Sequence, residues 1–202
     1  MSGRLRVAIL VSGEGTTLEG LVTRWRASGA PVEVALVLAD RPGIGAIERA
    51  RRLALPLELV DRRSVDPAGF ARVVTDLLRE RQVELVILAG FLSILPPSWV
   101  DAWEGRAINL HPSLLPRYSG RGMHGRRVHA AVIADGERET GVTVHLVTRD
   151  VDAGPTIEQR RMAVEPNDTP ETLRARLAPL ELEALDSVVR RFACGELPLP
   201  YR

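Results

Sequence analysis

The segment Ile108–Pro116 contains the pair of side chains best suited to chemistry in this sequence. Asn109 and His111 are two residues apart, so on an extended backbone they point to the same face. An amide there can donate a hydrogen bond to a developing negative charge, and an imidazole can donate a proton. The pair indicates either a site of this kind at the end of a buried strand, or an ordinary strand-to-turn junction in which both side chains satisfy backbone groups.

A second candidate site follows the apolar run Arg6–Val11, where the sequence Ser-Gly-Glu-Gly-Thr-Thr occupies positions 12–17. Apolar residues then recur at helical spacing from Leu18 to Trp25. A strand, a glycine turn and a helix start together form the usual arrangement for binding phosphate. The pattern is neither Gly-x-Gly-x-x-Gly nor a Walker A loop. The alternative is a plain tight turn capped by Thr16 or Thr17.

The elements around these segments predict an α/β fold with a doubly wound, mostly parallel sheet, because strand and helix patterns alternate. The predicted strands are Arg6–Val11, Val32–Ala39, Leu57–Val60, Val83–Leu88 and Ala107–Leu110, then a half-buried Val142–Leu146 and an antiparallel Thr156–Ala163. A long C-terminal helix follows Asp168. Ligands of such sheets bind beyond the carboxyl ends of the strands, which is where Gly15, Phe91 and His111 are expected.

The composition excludes several classes of function. The chain has 202 residues, 45% of them hydrophobic, so we expect one domain over residues 1–202. Its net charge is +1, so we expect no nucleic-acid partner. The sequence has no lysine, which excludes lysine Schiff-base chemistry. Cys194 is the only cysteine, and the four histidines lack zinc-binding spacing, so we expect no metal. Neither a signal peptide nor a membrane span is indicated, and a cytoplasmic protein is expected.

Several motifs in order resemble the folate-dependent formyltransferases, and the resemblance covers essentially the whole chain. They are Ser12–Leu18, Leu88–Leu92, Asn109–Pro116, Thr140–His145 and Asp152–Pro155. The resemblance implies a Rossmann-like formyltransferase fold with 10-formyltetrahydrofolate as formyl donor and co-substrate. It also implies small-molecule substrates and a monomer or homodimer. The first half, residues 1–100, would bind phosphate and substrate, and residues 101–202 would hold the catalytic and folate-binding groups.

The same resemblance assigns roles to individual residues. Asn109 becomes the oxyanion donor, His111 the general acid, and Asp152 the group that tunes His111. The substrate would be bound by Gly15, Thr16, Thr17 and Glu181, and the folate by Leu92, Ser93, Ile94, Leu95 and Asn109. Asp152 could instead be a turn residue that bonds its own backbone, and Glu181 lies on a helix face that also carries solvated charges. His145 is expected to be structural or to support the catalytic groups.

The expected acceptor is the amine of 5-phosphoribosylglycinamide (GAR), in de novo purine biosynthesis. Alternatives are another amine, on methionyl-tRNA or a sugar nucleotide, hydrolysis of the formyl folate, and a non-catalytic folate-binding or phosphate-sensing module. A tRNA enzyme would usually carry a further C-terminal domain. The sequence departs from the family pattern at Glu14, Pro67 and Ser93, and in its loop Ser119–His129. These departures weaken the assignment of residues that would contact the folate glutamate.

Overall fold

The computed structural model describes residues 3–201, and Met1, Ser2 and Arg202, which the predicted domain includes, lie outside them. The strands are β1 (Leu5–Val11), β2 (Val32–Ala39), β3 (Leu57–Leu59), β4 (Leu85–Leu88), β5 (Ala107–His111), β6 (Glu139–Leu146) and β7 (Thr156–Ala163). The helices are α1 (Thr16–Ser28), α2 (Gly45–Arg52), α3 (Pro67–Glu80), α4 (Pro97–Ala102), α5 (Arg126–Ala134) and α6 (Pro170–Ala193).

All seven strands form one sheet in the order β3-β2-β1-β4-β5-β6-β7. The pairs among β1 to β5 are parallel, whereas β6 pairs antiparallel with both β5 and β7. The predicted α/β class, with a mostly parallel sheet and an antiparallel last third, is therefore confirmed. The strand order reverses between β1 and β4, and such a reversal opens a crevice beyond the carboxyl ends of the strands.

Two apolar layers cover the two faces of the sheet, and the layer to which each apolar residue of β5 belongs shows the direction of its side chain. Ile108 and Leu110 belong to the layer that also contains buried residues of α1, α5 and α6. Ala107 belongs to the opposite layer, with buried residues of α3 and α4. Since side chains alternate along a strand, Asn109 and His111 lie on this second side of the sheet.

The predicted bounds of β1, β3 and β5 are wrong by one residue at one end, and β6 begins at Glu139 instead of Val142. Two further strand predictions are also wrong. β4 begins at Leu85 rather than Val83, because the backbone N–H of Val83 donates to Leu78 and closes the end of α3. The stretch Val142–Leu146 is buried on both faces rather than half-buried. The segment after β5 covers its second face, where the Thr143 hydroxyl donates to the Ser113 carbonyl oxygen at 2.7 Å. The alternating apolar and polar side chains of this strand therefore face two buried environments, the apolar core on one side and the segment after β5 on the other.

The C-terminal helix α6 has 24 residues and starts with a capping box formed by Thr169 and Thr172. Its buried side includes Leu177, Ala184 and Val188, which fix the rotation of the helix about its axis. Among residues 3–201, no helix is both long enough and apolar enough to cross a membrane.

Candidate active site

His145 determines the orientation of the Asn109 amide. The two residues are opposite each other across β5 and β6, and Asn109 Nδ2 lies 3.0 Å from His145 Nε2. His145 Nδ1 lies 2.8 Å from the Leu146 carbonyl oxygen, which can only accept, so Nδ1 carries the proton and Nε2 accepts from Asn109. Burial lowers the pKa of His145, which favours this neutral form. One N–H of Asn109 is thereby held by His145, and the second donates over 3.5 Å to Oδ1 of Asp152.

His111 is 4% exposed and has an oxygen beside each ring nitrogen. Its Nε2 lies 2.8 Å from the Tyr118 carbonyl oxygen, and its Nδ1 lies 3.5 Å from Oδ2 of Asp152. Tyr118 has a left-handed φ of 57°, and its backbone brings this carbonyl back to the strand end. Both ring nitrogens of His111 therefore face oxygen atoms that can accept a hydrogen bond.

The Asp152 carboxylate lies between the two polar residues of β5. Its Oδ1 is 3.5 Å from Asn109 Nδ2, and its Oδ2 accepts from the Gly120 N–H at 3.0 Å. The residue has a left-handed φ of 58° in the loop between β6 and β7. The structure therefore brings together the three predicted catalytic residues, although 43 positions separate Asn109 from Asp152. The side-chain hydrogen bonds of Asp152 go to other segments and not to its own turn.

The glycine segment ends in an exposed helix start. Gly15 has a φ of 74°, and a Cβ on it would lie 2.7 Å from Ala46, so this position requires glycine. Within residues 3–201, no side chain caps α1, and nothing accepts from the backbone N–H groups of Thr16 and Thr17. The alternative of a plain turn capped by Thr16 or Thr17 is therefore wrong. Unbonded N–H groups and the helix dipole make this end suitable for an anion.

Glu14 does not occupy that anion site. Its side chain is exposed, and its carboxylate lies next to Gly45, the first residue of α2. The positive end of the α2 dipole stabilises a carboxylate at this position. The departure at Glu14 therefore leaves the start of α1 accessible.

Besides Asn109, four residues are predicted to hold the folate, and they have three different environments. Leu92 and Ile94 are 43% and 48% exposed, whereas Leu95 is buried in the core. The Ser93 hydroxyl donates to the buried carboxylate of Asp40 at 2.5 Å. Sequence analysis did not identify Asp40; its position directly after β2, at the carboxyl edge of the sheet, was the available signal.

Glu181 lies half-buried on α6, and its carboxylate makes no hydrogen bond or ion pair with any residue between 3 and 201. Burial raises its pKa to about 7, and the positive charge of Arg174 offsets part of this effect. Arg174 also acts on His129, whose pKa is lowered to about 4 by burial and then by Arg174 and His111.

The mostly parallel sheet thus carries a cluster of an amide, an imidazole and a carboxylate at the end of β5 and a glycine turn at the end of β1. The sequence model of the family described as formyl transferase matches residues 5–189, and this chain belongs to that family.

Individual relatives carry more specific names. The phosphoribosylglycinamide formyltransferase of Bacillus subtilis is 33% identical over 187 residues, which are 92% of this chain and 93% of that protein. The trifunctional purine biosynthetic protein adenosine-3 of Gallus gallus is 36% identical over 195 residues, 96% of this chain but 19% of that protein. The crystal structure of phosphoribosylglycinamide formyltransferase from Bacillus halodurans has a TM-score of 0.88 and 32% identity, covering 98% of this chain and 100% of that one.

Proposed function

We propose that this protein transfers the formyl group of 10-formyltetrahydrofolate to the amine of GAR, as a step of de novo purine biosynthesis. The observation that carries the proposal is the cluster of Asn109, His111 and Asp152. Relatives named for this reaction match the chain along nearly their whole length and support the choice of acceptor.

Asn109 is proposed to stabilise the oxyanion. Attack of the amine on the formyl carbon turns the carbonyl oxygen into a negatively charged oxygen. The second N–H of Asn109, which donates over 3.5 Å to Asp152 in the structure, is proposed to donate to this oxygen instead. One well-placed donor of this kind contributes about 3 kcal/mol to the transition state. His145 acts as a positioning residue here, because the bond that it accepts removes the freedom of the amide to flip.

His111 is proposed to be the general acid. The attacking amine nitrogen releases one proton to solvent as its bond to the formyl carbon forms, and the nitrogen of the departing folate takes one proton from His111 as its own bond to that carbon breaks. A positioned imidazolium contributes roughly 10²- to 10⁴-fold to the rate. The adjacent Asp152 carboxylate is proposed to tune His111 by orienting its ring. The Tyr118 carbonyl oxygen bonds to Nε2, so donation from this nitrogen requires Tyr118 to release it when substrate enters.

The remaining site residues are proposed to bind the two substrates. The substrate phosphate lies on the N–H groups of Gly15, Thr16 and Thr17, and the carboxylate of Glu181 accepts from hydroxyls of the ribose. Leu92 and Ile94 offer exposed apolar side chains to the folate ring system, beside Asn109, while Ser93 and Leu95 fix the backbone of that segment.

This assignment keeps residues 1–100 as the phosphate and substrate half and residues 101–202 as the catalytic and folate half. The proposed chemistry uses no metal ion. We place the protein in the cytoplasm, as a monomer or homodimer without nucleic-acid or membrane partners.

The test is an acceptor panel with 10-formyltetrahydrofolate as donor, followed through the change in folate absorbance. We expect turnover with GAR and not with methionyl-tRNA, a sugar nucleotide or water. Turnover with one of the others instead would replace the acceptor while keeping the family chemistry. Binding of GAR and folate without any turnover would show a non-catalytic module.

A further inference from the structure

The Asp40 carboxylate is fully buried and has no part in the proposed chemistry. Asp40 directly follows β2, and its backbone N–H donates to Val11 while its carbonyl oxygen accepts from Arg62. A buried carboxylate is costly unless it is paired and hydrogen-bonded, so its partners show what it is fixing in place.

Three side chains bond to this carboxylate. Oδ2 accepts from the Ser12 hydroxyl at 2.8 Å and from the Ser93 hydroxyl at 2.5 Å. The Arg41 guanidinium donates to both oxygens, at 2.9 and 3.0 Å. Burial alone would raise the pKa of Asp40, but the bonds from Arg41, Ser93 and Ser12 outweigh it and hold the pKa below its usual value. The group is therefore charged at neutral pH, and hydroxyl bonds to a charged acceptor are strong.

The two serines belong to different parts of the candidate site. Ser12 begins the glycine segment, and Ser93 lies in the segment proposed to hold the folate. Ser12 also bonds to the second segment directly, since its hydroxyl accepts from the Leu92 N–H at 2.8 Å. Asp40, Ser12 and Ser93 thus form one buried network across the ends of β1, β2 and β4.

We propose that Asp40 is a positioning residue for formyl-donor binding, which fixes the segment Leu92–Leu95 through Ser93 and ties it to the glycine segment through Ser12. This inference rests on the proposed function for the identity of the donor. The segment needs such a tie because only Leu95 anchors it in the core, while Leu92 and Ile94 face outward. Because these hydrogen bonds already order the segment, binding of the donor does not have to include the entropy cost of ordering it.

Ser93→Ala is the sharpest test, because it removes one bond without changing charge. We expect the KM for 10-formyltetrahydrofolate and the Kd for tetrahydrofolate, measured by calorimetry, to rise about tenfold, the value of one hydrogen bond to a charged group. The kcat and the KM for GAR should stay within about twofold, since neither involves this segment. Ser93→Thr, which keeps the hydroxyl, should retain parental donor binding.

Asp40→Ala tests whether Ser93 acts through Asp40. The double variant Asp40→Ala/Ser93→Ala should bind donor no more weakly than Asp40→Ala alone, because both changes break the same bond. Asp61→Ala is the matched control: Asp61 pairs with Arg63 and also interacts with Arg41, but does not bond to Ser93. It should bind donor like the parent.

Additive losses in the double variant, or an equal rise in both KM values for Ser93→Ala, would overturn the inference. A parent protein that binds tetrahydrofolate without turnover would refute the proposed function alone, and the Kd comparison would still decide the role of Asp40. A parent that binds no tetrahydrofolate would overturn both.

Discussion

Glu181→Gln should make the protein more stable at alkaline pH but not at acidic pH. The carboxyl group has a pKa of about 7 in the folded protein, against 4.5 when unperturbed. Between pH 4.5 and about 7 the folded protein therefore keeps a proton on Glu181 that the unfolded chain has released. A raised pKa contributes stability below pH 4.5 that is lost as pH rises through about 7. The full shift corresponds to about 3 kcal/mol at 1.36 kcal/mol per unit. Because Glu181 is only half-buried, we expect about 1–2 kcal/mol in practice.

The assay is urea unfolding of both proteins at several pH values from 4 to about 8.5, analysed as free energies of unfolding. Glu181→Gln should match the parent at the lowest pH and gain stability progressively, reaching its full gain above pH 7. Glu183→Gln is the matched control on the same helix: Glu183 pairs with Arg160 at 2.9 Å, and its loss should not reproduce this pH dependence. A gain that is equal at all pH values would refute the reasoning, since it would not come from the proton.

Two further substitutions test local geometry. Gly15→Ala should lower the free energy of unfolding by about 3 kcal/mol, because both the left-handed backbone and the close approach of Ala46 oppose a Cβ at this position. Gly29→Ala is the control: Gly29 also has a left-handed φ, of 62°, but open space around it, so this change should cost about 1 kcal/mol. Urea unfolding separates them, and equal losses would exclude the contact with Ala46. His145→Ala should lower kcat about tenfold with little change in either KM, because Asn109 loses the acceptor that orients it. In an Asn109→Ala background the same change should have little further effect, and an undiminished loss there would place His145 outside the role of orienting Asn109.

The order of strands and helices could be predicted because each element carries a local pattern. The run Val7–Val11 is buried on both sides, and the long helix predicted after Asp168 starts with a capping box formed by Thr169 and Thr172. The prediction that Val142–Leu146 is half-buried was wrong. Alternating apolar and polar side chains indicate that the two faces of a strand have different surroundings, but they do not indicate that one of the faces contacts solvent. That second neighbour, the segment around Ser113, depends on tertiary packing.

The candidate site could be predicted where chemistry follows from residue type and strand spacing, as for Asn109 and His111. The connection to Asp152 came from resemblance, because a contact between residues 43 positions apart leaves no local signal. The sequence did not indicate Asp40 or Tyr118 as site residues, for a related reason. Asp40 acts through serines on two other segments, and Tyr118 through a backbone oxygen that any residue type could supply.

The most direct measurement of the central claim is kcat for formyl transfer to GAR by the parent and by His111→Ala, at saturating concentrations of both substrates. We predict turnover by the parent and a loss of roughly 10²- to 10⁴-fold in the variant, with tetrahydrofolate affinity largely retained. Formyl transfer by His111→Ala at the parental rate would contradict the assignment of His111 as the proton donor.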